Sequence, residues 1–194
     1  VVNAFAKFVL YLAFAVISHT GLLILGLFSL HPLGFQGSLL LAVNFGLAVT
    51  AMLFMTGFVY RRTRTTALDR LGGLFDRIPF IGLTFRVGGL AIVGMPGTPG
   101  FDAAHLVLEA SIETFGALPT VAAALGNVVA AGFLLYAFQR AFLAPRPEAE
   151  KGVVIERVLP MEYLVASIML LALLGTGFYL EPWQKLVEVS MQTL

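Results

Sequence analysis

The chain has 194 residues, of which 59% are hydrophobic and only 12% are charged, and its mean hydropathy is +0.92. A soluble domain carries about 25% charged residues, so this composition excludes a soluble enzyme and predicts an integral membrane protein. The net charge of +1 leaves no electrostatic footprint for a nucleic-acid partner. The chain has no cysteine and its three histidines lack a metal-binding spacing, so we expect no disulfide, no metal site and no bound cofactor.

Apolar runs near 20 residues long predict an all-α integral membrane protein with about five transmembrane helices, in a single membrane domain over 1–194. The third helix is expected to be discontinuous. The polar segment after the second run contains a stretch, 67–75, that is either a short interfacial helix or a loop. The tail from Glu181 has an amphipathic pattern. The predicted spans are 5–30, 36–60, 80–117 (broken at 94–100), 121–143 and 160–180.

The positive charges alternate along the chain. Ten of the twelve lysines and arginines precede the first span, lie between spans two and three, or lie between spans four and five. The positive-inside rule therefore predicts that the basic loops 61–79 and 144–158 face the cytoplasm of a bacterial inner membrane, with the C-terminus on the opposite side. This alternation fails if the break at 94–100 separates two full spans, and each half is short for a complete crossing.

The break itself concentrates residues that cannot continue a helix, because proline lacks a backbone donor and glycine is conformationally free. Freed backbone groups are tolerated inside a membrane only against protein or a water-filled cavity, and such discontinuous helices mark ion or substrate sites in transporters. The alternatives are a loop at the membrane surface or a kink that serves packing alone. The breaking residues are Gly94, Pro96, Gly97, Pro99 and Gly100.

A stripe of ionisable residues follows the break at intervals of three, four and four. Asp102, His105, Glu109 and Glu113 share one face of a helix with this spacing. Charged groups are costly in a bilayer, so we expect this face to meet protein or water and to form a proton path. The alternative is that Glu113, and with it Glu109, is solvated at the far interface.

Two further ionisable residues lie within the predicted spans. Arg86, in the third span, either joins the proton path by pairing with a carboxylate or extends towards the basic loops. His19, in the first span, is either a relay residue of the same path or a packing residue. His31 is expected at the interface, and Glu162 is expected to be solvated at the start of the last span.

Three motifs occur in the same order in antiporter-like membrane proteins. The first is residues 17–29, which contain Ser18-His19-Thr20-Gly21. The second is the turn at 34–38, and the third is 94–101, which comprises the break and the phenylalanine that follows it. Over residues 8–185 the chain thereby resembles the antiporter-like membrane subunits of the proton-pumping NADH:quinone oxidoreductase (complex I) family. It is most similar to subunit M, or chain 4, and is also similar to relatives in Mrp antiporters, membrane hydrogenases and bicarbonate-uptake complexes. The resemblance, together with the start at Val1, implies the C-terminal part of such a subunit or a short, divergent relative.

Two departures from the family pattern bear on function. Where the family has His-Gly-Leu in the second span, this chain has Phe45-Gly46-Leu47. Where the family has a glutamate in a Gly-Glu-Phe context after the break, this chain has Ala104. Of the ionisable family positions considered, only His19 carries over directly.

The resemblance implies a membrane subunit that translocates protons or sodium within a larger respiratory-type complex. Other membrane subunits would then be its partners, and quinone, NADH and iron–sulfur clusters would be bound only by them. One alternative is a non-conducting, degenerate scaffold, which the residues at Phe45 and Ala104 favour and the charged stripe disfavours. Another is the membrane subunit of a bicarbonate-uptake complex. No catalytic residue of its own is expected.

Overall fold

The computed structural model describes residues 7–147 and 155–178, and within those ranges every regular element is helical. The helices of the membrane domain are numbered in chain order. The amphipathic tail predicted from Glu181 lies outside the described residues. The helices are α1 (Lys7–Phe28), α2 (Pro32–Thr63), α3 (Pro79–Val93), α4 (Pro99–Phe115), α5 (Ala117–Phe138, continued by a π-helical turn, Gln139–Leu143) and α6 (Pro160–Phe178).

Four of these helices, α1, α2, α5 with its π-helical turn, and α6, are long and apolar enough to cross a membrane. The shorter α3 and α4 follow one another across the break and together supply the remaining span. The prediction of an all-α membrane protein with about five spans, the third discontinuous, is confirmed.

Prolines at the first helical turn account for the starts of several helices, because proline's fixed φ suits that position and its missing donor is not needed there. Pro32 starts α2 four residues earlier than the predicted 36, and the side chain of His31 accepts a hydrogen bond from Leu33 N at 3.3 Å. This helix also continues to Thr63, beyond the predicted end at 60, and stops at Arg64 in the left-handed conformation (φ 54°). A proline and a capping residue thus place boundaries that hydropathy alone does not show.

The long helix α2 is central to the bundle and packs against α1, α3, α4 and α6. A large apolar cluster fills the space between α2, α3 and the end of α5, with Met52, Met55, Phe85, Ile92 and Phe142 almost fully buried. A smaller one lies where α4 meets α1 and α2. The helix after the break is therefore held mainly by α2.

The segment 64–78 between α2 and α3 is a loop with two turns, so the alternative of an interfacial helix at 67–75 is wrong. Its backbone bonds instead to the chain after α5, with Gly73 N to Ala144 O at 2.7 Å and Phe75 N to Phe142 O at 3.1 Å. These bonds join the two basic loops at one end of the bundle, called here the basic end. The α1–α2 turn and the α4–α5 turn lie at the other end, called the far end.

A buried ion pair ties the basic end to α6. The expectation that Glu162 is solvated is wrong, because its residue is only 3% exposed and its carboxylate receives both terminal nitrogens of Arg62. The guanidinium also donates to the backbone oxygens of Phe58, Glu156 and Arg157 at 2.9–3.0 Å. Glu162 accepts a further bond from Leu159 N at 2.8 Å, which caps α6. Burial of this pair is tolerated because nearly all of its polar atoms have partners.

Candidate functional site at the helix break

The break in the third span comprises residues 94–98. Helix α3 ends where Gly94 adopts a left-handed conformation (φ 77°) that an L side chain would strain, and Gly97 does the same (φ 89°). Thr98 then turns the chain, with its Oγ1 donating to Met95 O at 2.7 Å, and Pro99 opens α4. The sequence-predicted breakers therefore each fall within or beside the interruption.

The two half-helices meet closely at Gly100. A Cβ built there would lie 2.5 Å from Asn44 Nδ2 and 2.7 Å from Ala91 O, so only glycine fits without a shift of the backbone. The end of α6 covers the break from another side, since a Cβ on Gly177 would clash with the backbone of Gly97. Thr98, Pro99 and Gly100 are accordingly buried, whereas Met95 and Pro96 are exposed, so protein encloses the side of the break that leads into α4.

Two asparagines hold the end of α3. Asn44 of α2 donates its Nδ2 to Ala91 O at 3.0 Å, and Asn127 of α5 donates its Nδ2 to Val93 O at 2.9 Å. Neither asparagine is among the site residues predicted from the sequence. Their signal was present, because a lone amide in an apolar span has to find a partner among neighbouring helices.

His19 of α1 is 2% exposed and lies at the same level. Its imidazole stacks on the Phe45 ring, with centroids 5.4 Å apart and planes 3° apart. The ring is close to the backbone carbonyls of Ala15 and Ile92. The three side chains of His19, Asn44 and Asn127 thus surround three consecutive residues, 91–93, in the last turn of α3, and we call them the polar cluster.

Each member of the polar cluster has one buried polar atom without a hydrogen-bond partner among the described residues. These atoms are His19 Nδ1, Asn44 Oδ1 and Asn127 Oδ1. Buried polar atoms of this kind normally bind ordered water, which a polar and enclosed position favours. The α3 carbonyls beside them carry the partial negative charge of a helix C-terminus. The cluster therefore suits water, a hydrated proton or another small cation.

The ionisable stripe faces the opposite way. His105, Glu109 and Glu113 are exposed and Asp102 is half-buried, whereas the other face of α4 packs against α1 and α2. Glycine on α2 allows the buried face of α4 to approach closely. A Cβ at Gly37 would lie only 2.9 Å from Ala103 O, so α4 can pack in this orientation because position 37 is glycine. The four residues share a face as their spacing predicts, and the described part of the chain leaves that face uncovered.

Glu113 is joined to the α1–α2 turn. Its carboxylate lies 3.2 Å from His31 Nε2, with side-chain exposures of 55% and 32% respectively. The neighbouring Thr114 Oγ1 donates to Ser29 O at 3.4 Å. The stripe therefore ends at the far end of the bundle in a partly exposed pair that the sequence alone did not connect.

Arg86 is exposed on α3, and its Cζ lies 5.9 Å from the centroid of the Phe138 ring. The ion pairs of the described residues involve Glu113 and Glu162, so no carboxylate of the stripe pairs with Arg86 there. In the same ranges no group of three or more histidine, aspartate or glutamate side chains is placed to hold a metal ion.

The two positions that depart from the family pattern both lie inside the bundle. Ala104 is 8% exposed among leucines of α1 and α2. Phe45 is half-buried and covers one face of the His19 ring. An ionisable side chain at either position would therefore point towards the interior rather than towards the stripe.

Comparison with known proteins identifies the family. The family model described as NADH:quinone oxidoreductase/Mrp antiporter, TM, matches residues 9–137. The chain belongs to this family. The NAD(P)H-quinone oxidoreductase chain 4 1 of Synechococcus sp. (strain JA-2-3B'a(2-13)) is 34% identical over 178 residues, covering 87% of this chain and 33% of that protein. The chloroplastic chain 4 of Chaetosphaeridium globosum is 29% identical over 191 residues, covering 93% and 38%.

Two chains of solved complexes have the same fold. A chain of respiratory complex I from Thermus thermophilus with bound NADH has a TM-score of 0.79 and 28% identity, covering 96% of this chain and 41% of that one. A chain of the Mrp complex from Dietzia sp. DQ12-45-1b has a TM-score of 0.81 at 17% identity, covering 91% and 40%, and shows the shared fold. The chain spans about a third of the length of the curated relatives it matches.

Proposed function

We propose that this chain is an ion-translocating, antiporter-like membrane subunit of a larger respiratory-type complex related to NADH:quinone oxidoreductase. The ion moved is a proton or sodium. The observation that carries the proposal is the polar cluster at the break, where three buried polar atoms lack partners beside the end of a discontinuous helix. A span used only for packing gains nothing from such atoms, because each costs about 1–3 kcal/mol unless water satisfies it.

In this proposal His19 is the titratable member of the path. A neutral imidazole donates from one nitrogen and accepts at the other, so His19 can pass a proton between two waters. Asn44 and Asn127 position the end of α3 through their amide nitrogens and hold water through their oxygens. The path then passes the break at Gly94–Thr98 between the two half-helices.

The exposed stripe on α4 supports membrane partners for the chain. Carboxylates and an imidazole facing lipid along a transmembrane helix are expensive, so protein outside this chain is expected to cover His105, Glu109 and Glu113. Within that cover the stripe provides a second titratable line, which ends at the His31–Glu113 pair. The structural relatives are chains of respiratory complex I and of an Mrp complex, in keeping with such cover.

The orientation follows from charge. We propose that the basic end faces the cytoplasm of a bacterial inner membrane and the far end faces the opposite side, because the basic loops lie together at one end. Electron-transfer cofactors such as NADH, quinone or iron–sulfur clusters then belong to the partner subunits, and the driving reaction reaches this chain through its contacts with them.

A non-conducting scaffold is the second candidate, and two observations favour it. Phe45 covers the His19 ring with an apolar face, and Ala104 places a methyl group where the family pattern has a carboxylate. If these residues interrupt the path, the subunit would serve to hold its neighbours. We rank this candidate second because the polar cluster and the stripe are both present.

Ion uptake into liposomes by the assembled complex separates the two candidates. We expect His19→Leu to abolish uptake of protons or sodium, and Glu109→Gln or His105→Ala to reduce it, with uptake measured only on the fraction of each variant that gel filtration shows to be fully assembled. Asp76→Asn is the matched control, since Asp76 is an exposed carboxylate in the basic loop away from both polar regions. Unchanged uptake in the first three variants would replace the translocation proposal with the scaffold.

A second experiment introduces the two ionisable residues of the family pattern that this chain lacks. If the interior path is interrupted at Phe45 and Ala104, then Phe45→His with Ala104→Glu should create uptake that the wild-type complex does not show. If the wild-type path conducts, the double variant should alter an existing rate. The bicarbonate alternative is tested in the same liposomes by uptake of labelled bicarbonate.

A further inference from the structure

A groove on the surface of α3 and the end of α5 contains two arginines. It has a volume of about 650 Å³ and is lined chiefly by Arg86, Leu135, Phe138, Gln139, Arg140 and Leu143. We call it the arginine groove. Three of its lining residues come from the π-helical turn Gln139–Leu143, and single π-turns within α-helices are frequent at binding sites.

Neither guanidinium in the arginine groove has an anionic partner in the described part of the chain. The ion pairs found there use Arg61, Arg62 and His31, and the lining includes no aspartate or glutamate. Arg86 lies seven residues after Pro79, which starts α3, so it is about 10 Å from the basic end at 1.5 Å per residue. Two cations that have no counter-ion among the described residues and lie near a membrane boundary favour an anionic occupant.

The arginine groove continues into an apolar cleft. This cleft shares Arg86, Leu135 and Phe138 with the groove and extends between α3 and α5 past Gly89 to Val93. Its other lining residues are apolar. This cleft has a volume of only about 20 Å³, which is too small for a hydrocarbon chain, but Leu135 and Leu143 beside the groove are exposed on the outer surface. Two arginines next to exposed apolar side chains match a molecule with an anionic head and a hydrocarbon tail that lies along the helix surface.

We propose that the arginine groove binds an anionic phospholipid, with the phosphate between Arg86 and Arg140 and one acyl chain along the exposed apolar surface beside the groove. Guanidinium groups bind phosphate oxygens in a bidentate manner, and basic pockets between transmembrane helices bind acidic headgroups. Phe138 supports Arg86 from the side through its ring face, which leaves the guanidinium edge available to the phosphate.

The test uses the full chain, purified in mild detergent with whatever subunits remain bound, then delipidated and titrated with phosphatidylglycerol or phosphatidylcholine. Bound lipid is counted by native mass spectrometry, and the thermal unfolding midpoint is recorded with each lipid. We expect phosphatidylglycerol to bind and to raise the midpoint more than phosphatidylcholine does. Each of Arg86→Gln and Arg140→Gln should weaken phosphatidylglycerol binding about fivefold, since one arginine near the surface contributes about 1 kcal/mol to the attraction of acidic lipid.

Arg77→Gln is the matched control, because Arg77 is exposed at the same end of the bundle and outside the groove, and it should change binding less than twofold. Arg140 lies on a different helix from Arg86, near the end of α5. A similar loss of binding in Arg140→Gln would therefore show that the effect of Arg86→Gln is not caused by misfolding. Inorganic phosphate is titrated separately. Equal protection by free phosphate, equal binding of both lipids, or equal loss in Arg77→Gln would each overturn the proposal. Equal binding of phosphatidylglycerol and phosphatidylcholine would point to a carboxylate of a partner subunit as the occupant of the groove.

Discussion

Two polar regions adjoin the discontinuous span from opposite sides. The polar cluster of His19, Asn44 and Asn127 lies inside the bundle and consists of uncharged amides and one imidazole. The stripe on α4 carries formal charges and faces outwards. Uncharged groups can be satisfied by a few waters within one chain, whereas charged groups along a membrane face require protein from elsewhere. The inner region thus depends on this chain's own packing and the outer region on its neighbours.

We expect the largest loss of stability from a substitution in the buried Arg62–Glu162 pair at the basic end. Like the polar cluster, this pair faces the interior of the bundle, but it carries full charges. Glu162→Ala leaves Arg62 buried without its carboxylate and removes the cap of α6, so we expect a loss of about 3–5 kcal/mol in the free energy of unfolding. Equilibrium unfolding in detergent measures this loss. Glu156→Ala is the control, since its side chain is exposed and only its backbone oxygen meets Arg62. Equal effects of the two variants would contradict an inward-facing role for Glu162.

The next effect is expected where the two half-helices meet. Gly100→Ala forces the Asn44 amide and the Ala91 carbonyl apart, and overpacking of this kind costs about 1–3 kcal/mol. The measurement is the thermal midpoint of the assembled complex, followed by ion uptake in liposomes. Gly46→Ala on α2 is the control, because nothing lies within 4 Å of a Cβ there. If Gly100→Ala changed neither the thermal midpoint nor ion uptake, the close contact of Gly100 with Asn44 and Ala91 would not be needed to hold the break together.

A smaller change in stability, with a larger change in transport, is expected for Asn44→Leu. The variant loses one hydrogen bond to Ala91 O, worth about 1 kcal/mol, although Gly94 N still donates to that oxygen at 3.2 Å. Because the variant also removes the amide oxygen that we propose binds water in the path, ion uptake should fall by more than the stability change explains. Thr50→Ala is the control, since its hydroxyl bonds only its own helix. Transport that simply follows stability would remove Asn44 from the path.

The smallest effect on folding is expected on the outer face. Glu109→Gln should change the free energy of unfolding of this chain by less than about 0.5 kcal/mol, because the side chain is exposed. It should nevertheless weaken retention of neighbouring subunits during purification, which gel filtration of the complex measures. A strong destabilisation of the chain, with unchanged retention of neighbours, would reverse the assignment of inner and outer regions.

The sequence predicted the helical membrane fold well because hydropathy and helix-breaking residues act locally. Apolar runs located the spans, and Pro96, Gly97 and Pro99 located the break to within a few residues. The motif-based resemblance led to the family that the comparison then showed. Spacing also put the four stripe residues on one face of α4. Nothing in that spacing revealed which way the face points, because orientation depends on which helix α4 packs against.

By itself, then, the sequence determined the membrane class, the number of spans, the position of the break and the family. The tertiary structure decided the rest. It placed Asn44 and Asn127 on the end of α3, buried Glu162 against Arg62, and turned the stripe outwards. The physical reason is that these features are contacts between residues 34 to 100 positions apart in the chain, and their energy comes from pairing polar groups across helices. The sequence shows that a polar residue in an apolar span needs a partner, but only the packed bundle shows which residue that partner is.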